Sequence, residues 1–227
     1  MDGLAPLVSA VFAAGAHVRH AICAAHRSDV PYPHWSLHDV LPAALCRAVI
    51  ALPFAAPAID DTLGRRDTNN STRVFISEAN RANHLACEAV AEAFQDEATV
   101  GLLEDMCGRC LDGSSLRIEY CQDTDGFWLE PHTDIGAKLF TMLVYLSDHP
   151  NAEQWGTDIF DARHNLVERA SGAFNSGLIF LPGEDTWHGF GARRIRGVRR
   201  LLIINYVAPA WRSRAELAFP TEPVHAA

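Results

Sequence analysis

Residues 116–146 read LRIEYCQDTDGFWLEPHTDIGAKLFTMLVYL, and this stretch decides the fold. Leu116, Ile118 and Tyr120 alternate with Arg117, Glu119 and Cys121, the period of two of a strand with unlike faces. Leu139 to Leu146 is a continuous apolar and β-branched run, the signature of a second strand, and Asp125-Gly126 marks a turn between the two. Downstream, Thr157–Phe160, Leu178–Leu181 and Arg199–Val207 read as strands, punctuated by His149-Pro150-Asn151, Asn175-Ser176-Gly177 and Pro182-Gly183. Short strands at this spacing predict a sandwich or barrel. Upstream the period becomes helical. Asp39 and Pro42 fit a helix start ahead of Leu45, Ala48, Val49 and Leu52. Residues 82–98 repeat Leu85, Ala89, Val90, Ala93 and Phe94 at helical spacing, and a further helix is expected over 98–110, closed by Gly113. The Ala-rich first 25 residues read as a surface or capping helix. The expectation is one domain, mainly β with N-terminal helices: a mostly helical layer over 1–115, a β-core over 116–208, and a tail over 209–227. From Arg212 that tail is polar, contains two prolines and is expected to fray.

Composition narrows the function. The chain has 227 residues, 48% of them hydrophobic, enough for one core with a helical layer around it. The formal net charge of −9 argues against a nucleic-acid partner, which normally demands a basic face. The one basic cluster, Arg193, Arg194, Arg196, Arg199 and Arg200, divides between anion binding and a solvated strand end. Arg47 and prolines 42, 53 and 57 interrupt the most apolar region, Leu41 to Ile59, so no membrane span is expected. The N-terminus lacks the basic segment of a secretion signal, and Cys107-Gly-Arg-Cys110 lacks the second pair or nearby histidines of a zinc site. The six cysteines therefore read as free thiols, and the cytoplasm as the compartment.

The chemistry lies in His132-Thr133-Asp134, followed by His188 and Arg199. In a strand, residues two apart project from one face, so His132 and Asp134 can reach one ion. Pro131 keeps the segment extended, and His188 follows the Leu178–Leu181 strand and its Pro182-Gly183 turn. Two imidazoles and one carboxylate are the ligand set of non-haem Fe(II) oxygenases, which leave metal positions open. A guanidinium downstream gives a 2-oxoacid carboxylate a partner. His-x-Asp alone is a weak signal, matched by chance in many chains. Its weight comes from the strands around it and from the order in which His188 and Arg199 follow.

Tyr120, Gly126-Phe127-Trp128-Leu129-Glu130-Pro131-His132-Thr133-Asp134, Phe140–Leu146, Trp187-His188-Gly189 and Gly197-Val198-Arg199-Arg200-Leu201 together resemble the Fe(II)/2-oxoglutarate-dependent dioxygenases, in particular the prolyl-hydroxylase-like branch. The similarity covers about residues 116 to 208, with a fainter match at Pro33-His34-Trp35 and Pro42. It implies a double-stranded β-helix, a jelly-roll variant with N-terminal helices on one sheet. It implies Fe(II) held by His132, Asp134 and His188, with 2-oxoglutarate and O₂ as co-substrates and hydroxylation as the outcome. Arg199, in preference to the adjacent Arg200, would pair the distal carboxylate of 2-oxoglutarate. Tyr145 and Tyr120 occupy places where relatives set a hydroxyl or an aromatic near the co-substrate, although each also reads as a core aromatic. Asn205, on the same strand face as Arg199, is expected to line the pocket near iron. Lys138 and Trp128 divide between substrate contact and ordinary packing. A small-molecule, amino-acid or biosynthetic substrate is favoured, with a peptide as the competitor. A cupin-like metalloenzyme without a 2-oxoacid and a non-catalytic jelly-roll module remain as alternatives.

Overall fold

A computed structural model describes residues 4–66 and 73–226, with side chains from residue 7 onward. Residues 1–3, 67–72 and 227, which belong to the expected N-terminal layer and tail, lie outside the described residues. Two antiparallel sheets face one another, and helices cover the outer face of the larger one, a double-stranded β-helix.

The larger sheet runs β1(His26–Ser28), β2(His34–Leu37), β9(Gly177–Phe180), β6(Lys138–Tyr145), β11(Arg199–Val207), β4(Ser115–Asp123), β3(Val74–Phe75). The smaller runs β5(Leu129–His132), β10(His188–Phe190), β7(Asp158–Phe160), β8(Leu166–Arg169). The strands expected at 116–121, 139–146, 157–160, 178–181 and 199–207 are present, within two residues of those bounds.

Strand parity assigns each residue to a side. From β4, Leu116, Ile118 and Tyr120 face the helices; from β6, Phe140, Met142 and Val144; from β11, Leu202, Ile204 and Tyr206. They meet Leu45 and Val49 of α2(Ala43–Ile50), Val90 and Phe94 of α4(Leu85–Gln95), Val100 and Leu103 of α5(Glu97–Cys107), and Val18 of α1(Leu4–Cys23). Each fully buried aliphatic or aromatic side chain contributes about 1.5–3 kcal/mol relative to exposure. This face is therefore what fixes the sheet to its helical layer. The opposite parity, Cys121, Leu143, Tyr145 and Leu201, points between the sheets toward Ile159 and Phe180.

The N-terminal half is mostly helical and also supplies β1, β2 and β3, because His34–Leu37 pairs with β9 and Val74–Phe75 with β4. Three expectations change. The helix expected over 82–98 is two helices, α3(Glu78–Asn83) and α4, broken where His84 adopts extended backbone (φ −137°). The next helix closes at left-handed Gly108 (φ 64°) rather than at Gly113, which falls in the following turn. The tail does not fray. Leu217, Ala218, Phe219 and Val224 are buried, the Val224 amide donates to Ser114 O (2.9 Å), and the Arg81 guanidinium lies 3.4 Å from the Phe219 ring centroid. The tail is a packed irregular segment, anchored by four apolar side chains that the polar average concealed. The six cysteines are free thiols. No helix among the described residues is long and apolar enough to cross a membrane.

Candidate metal centre and its cavity

A cavity of about 600 Å³ opens between the sheets. Its rim and floor include His132, Asp134 and His188, with Lys138, Thr141, Thr157, Phe190 and Arg199 around them.

The two histidines meet because β5 and β10 pair antiparallel with His132 opposite His188, which sets their rings 4.4 Å apart. Gly189 permits this approach. A Cβ there would come within 2.9 Å of the Glu130 and Leu129 carbonyl oxygens, so a side chain would push the strands apart. Each imidazole is anchored the same way. His132 Nδ1 lies 2.8 Å from Glu130 O, and His188 Nδ1 lies 3.0 Å from Thr186 O. A ring nitrogen beside a carbonyl must donate, which leaves Nε2 as the lone-pair nitrogen on each ring, the atom a metal takes. Burial pushes His188 down to about 4, against the attraction of Asp134, so the ring is neutral at physiological pH.

Asp134 follows β5 and turns into the cavity. Burial alone would raise its pKa, but Lys138, His188 and the hydrogen bonds from Lys138 and Thr141 hold it well below the usual carboxylate range. Lys138 Nζ donates to Oδ1 at 2.5 Å and Thr141 Oγ1 to Oδ2 at 2.8 Å. Among the described residues no three His, Cys, Asp or Glu side chains converge on one metal-sized point. The two imidazoles are set, while the carboxylate is closed on an ammonium. The donor chemistry still fits a divalent cation: two anchored imidazoles, one of them neutral by burial, and an ionised carboxylate on one wall.

The register across β4, β11 and β6 lays out the inward face of the larger sheet in rows. Arg117, Asn205 and Thr141 form one row, Glu119, Ile203 and Leu143 the next, then Cys121, Leu201 and Tyr145, then Asp123 and Arg199. Two polar rows thus bracket a band of mainly apolar side chains. At the far row, Arg199 is 3% exposed, ion-paired to Asp123 at 2.5 Å, with Nε donating to Trp155 O at 2.6 Å. Its guanidinium stacks 4.4 Å from the Phe190 ring centroid. Arg200 points to the helix face, beside Tyr120, and does not line the cavity.

The other expected co-substrate residues do not line the cavity. Tyr145 lies behind Thr157, which accepts its hydroxyl proton at 2.8 Å and donates back through its amide at 3.1 Å. Tyr120 is on the wrong parity: it packs 6.5 Å from Phe54 in the helix-side core. Asn205 shares a face with Arg199, but six residues of strand separate them, about 20 Å. It sits behind Thr141, to whose hydroxyl it donates at 2.9 Å. Trp128 donates its indole N–H to Asp61 at 2.6 Å, away from the cavity lining. Of the basic cluster, only Arg199 lines the cavity; Arg193 is held on Asp158 at 2.8 Å.

Sequence reading missed the buried ionic network on the cavity face of β4. Glu119, 2% exposed, accepts from Arg73 (2.6 Å) and Arg117 (3.3 Å) and lies 4.0 Å from Arg66. Arg117 also donates to Glu216 at 2.7 Å, and Arg66 to Asp123 at 3.2 Å. Burial would raise Glu119, but Arg66, Arg73 and Arg117 together hold it down at about 2. The alternating Arg117, Glu119 and Asp123 are the signal that was present; on an isolated strand such alternation equally describes a solvent face.

Neither a protein-family model nor a curated protein matches the chain. Solved structures do. A Pseudomonas putida prolyl-4-hydroxylase aligns over 85% of this chain and 93% of its own, at 17% identity and TM-score 0.51. A Trichoplax adhaerens prolyl hydroxylase, solved with a hypoxia-inducible-factor peptide fragment, aligns over 88% and 91%, at 12% identity and TM-score 0.53. A Phytophthora capsici prolyl 4-hydroxylase aligns over 86% and 66%, at 11% identity and TM-score 0.58. The chain therefore has the fold of the prolyl-hydroxylase-like branch of the 2-oxoglutarate oxygenases.

Proposed function

We propose that this protein is an Fe(II)- and 2-oxoglutarate-dependent oxygenase that hydroxylates an unactivated C–H bond, with release of succinate and CO₂. The observation that carries this reading is the pairing of His132 with His188 across β5 and β10, beside Asp134, on a cavity whose other polar end is Arg199. His132, His188 and Asp134 would hold the metal, which when bound supplies the O₂-activating chemistry. Arg199 supplies a buried, permanently charged partner for a carboxylate. Leu201, Phe180 and Leu143 give the space between the two ends an apolar lining. Lys138 presents a cation at the metal end, and Glu119, Arg73 and Arg117 shape the opposite wall.

A small-molecule, amino-acid or biosynthetic-intermediate substrate is the reading we carry, since about 600 Å³ is the scale of a small-molecule site. The peptide in the Trichoplax adhaerens complex makes a peptidyl substrate the competitor. A metalloenzyme of the same fold without a 2-oxoacid is a second reading, favoured by the engagement of Arg199 with Asp123 and Trp155. A non-catalytic module is a third, favoured by the closure of Asp134 on Lys138. One experiment separates them. Anaerobically purified protein receives Fe(II), 2-oxoglutarate and either a metabolite extract or a proline-rich peptide, and O₂ is then admitted. Succinate together with a product one oxygen atom heavier supports the proposal. A metal-dependent product without 2-oxoglutarate consumption supports the second reading, and no turnover from any pool supports the third.

A further inference from the structure

The two oxygens of Asp134 have partners with opposite consequences for a cation. Oδ2 ends a buried chain. Arg117 Nη1 donates to Asn205 Oδ1 (3.3 Å), Asn205 Nδ2 to Thr141 Oγ1 (2.9 Å), and Thr141 Oγ1 to Asp134 Oδ2 (2.8 Å). These residues are neighbours by register: Arg117 faces Asn205 across β4 and β11, and Asn205 faces Thr141 across β11 and β6. The chain has one possible sense. An arginine only donates and an ionised carboxylate only accepts, so every proton in it is directed toward Asp134. Asn205 is fully buried and Thr141 nearly so, which strengthens each bond of the chain and fixes its geometry. Oδ1 has no such chain. Its partner is the Lys138 ammonium at 2.5 Å, on a flexible side chain that lines the cavity and is 18% exposed.

We infer that Thr141 and Asn205 are positioning residues that hold Asp134 by Oδ2, and that Lys138 is a displaceable counter-charge on Oδ1, the oxygen left for a divalent metal that would bind there. The inference rests on the metal-site reading above. It assigns opposite signs to two contacts of one carboxylate. Removing the Thr141 hydroxyl frees Asp134 to rotate and weakens metal binding. Removing the Lys138 ammonium deletes a competitor and strengthens it. Were Lys138 instead a support for Asp134, its loss would weaken binding as the loss of Thr141 does.

The test is Co(II) binding to the chelator-treated full chain, read by calorimetry and by the visible ligand-field spectrum, with no turnover required. Thr141→Val keeps the shape and removes the donor; its expected effect is a Kd raised about 10- to 100-fold, the range for loss of a partner to a metal ligand. Thr141→Ser restores the donor and recovers most of the affinity. Asn205→Ala moves in the same direction as Thr141→Val, by less. Lys138→Met lowers the Kd about 10- to 100-fold, the range for one charge-assisted hydrogen bond. Thermal melts confirm that each variant is folded. Unchanged affinity in Thr141→Val, or weakened or unchanged affinity in Lys138→Met, overturns the inference. If those variants are unchanged while His132→Ala loses Co(II), the metal site stands and only its positioning is wrong. If wild type binds no Co(II), or binds it no better than His132→Ala does, the metal-site reading fails and carries the inference with it.

Discussion

Glu119→Gln is a sharp test of the electrostatics that build the cavity wall. The side chain is 2% exposed and faces three guanidiniums, those of Arg66, Arg73 and Arg117. Glutamine keeps the shape and an acceptor oxygen but removes the charge, leaving Arg117, itself 2% exposed, with Glu216 as its ionic partner. The carboxyl sits at about 2 against an ordinary value of 4.5. At about 1.4 kcal/mol per unit, that difference makes the ionised form contribute about 3 kcal/mol to folding. Breaking one side of a buried ion pair by mutation costs a similar amount, about 3–5 kcal/mol. For a chain of this size, about 3 kcal/mol lowers Tm by about 10 °C. The sign with pH follows from the depressed folded value. The contribution is complete above 4.5 and is lost as pH falls through about 2. Urea unfolding of wild type and Glu119→Gln should therefore differ by about 3 kcal/mol at pH 7, and the gap should narrow as pH is lowered from 4.5 toward 2. A gap under about 1 kcal/mol at pH 7, or one that does not narrow in acid, would refute the account of a buried carboxylate stabilised by three arginines.

Gly189→Ala should weaken Co(II) binding and lower Tm, because the added Cβ meets two backbone oxygens at 2.9 Å and separates His188 from His132; unchanged binding would show that this approach is not needed. Arg199→Lys keeps the charge against Asp123 but loses the planar fork. The KM for 2-oxoglutarate should rise about 10- to 100-fold, the value of a lost charge-assisted bond, while Co(II) affinity stays the same. Tyr120→Phe should leave the KM for 2-oxoglutarate unchanged, since the ring faces the helices; a raised KM would place Tyr120 at the co-substrate after all.

Much of this arrangement is legible in the chain, and the reasons are local. The alternation at 116–121 and the apolar run at 139–146 set β4 and β6, because strand parity and double burial both leave marks in sequence. His132, Asp134 and His188 could be singled out as candidates because the composition and order of a metal-ligand set can be read from sequence, and the structure brings all three to one cavity. Parity also held information that went unused. Tyr120 alternates with Arg117 and Glu119, so it could not share their face, and the buried charges belonged to the cavity. Register is harder to read. Nothing in the sequence says that Asn205 lies opposite Thr141, or that Thr141 reaches Asp134; those pairings depend on how three strands align. The same holds for Glu119, whose arginine partners come from residues 66, 73 and 117. The packed tail was hidden because four anchoring side chains are diluted among polar ones.

In the proposed enzyme one cavity joins a metal site of two histidines and one carboxylate to a carboxylate partner at Arg199. Calorimetric titration of 2-oxoglutarate into Co(II)-loaded protein under argon tests it most directly. The expected result is saturable binding that requires the metal, disappears in His132→Ala and weakens in Arg199→Lys. Binding that is absent from the metal-loaded wild type, or that persists unchanged in both variants, would contradict it.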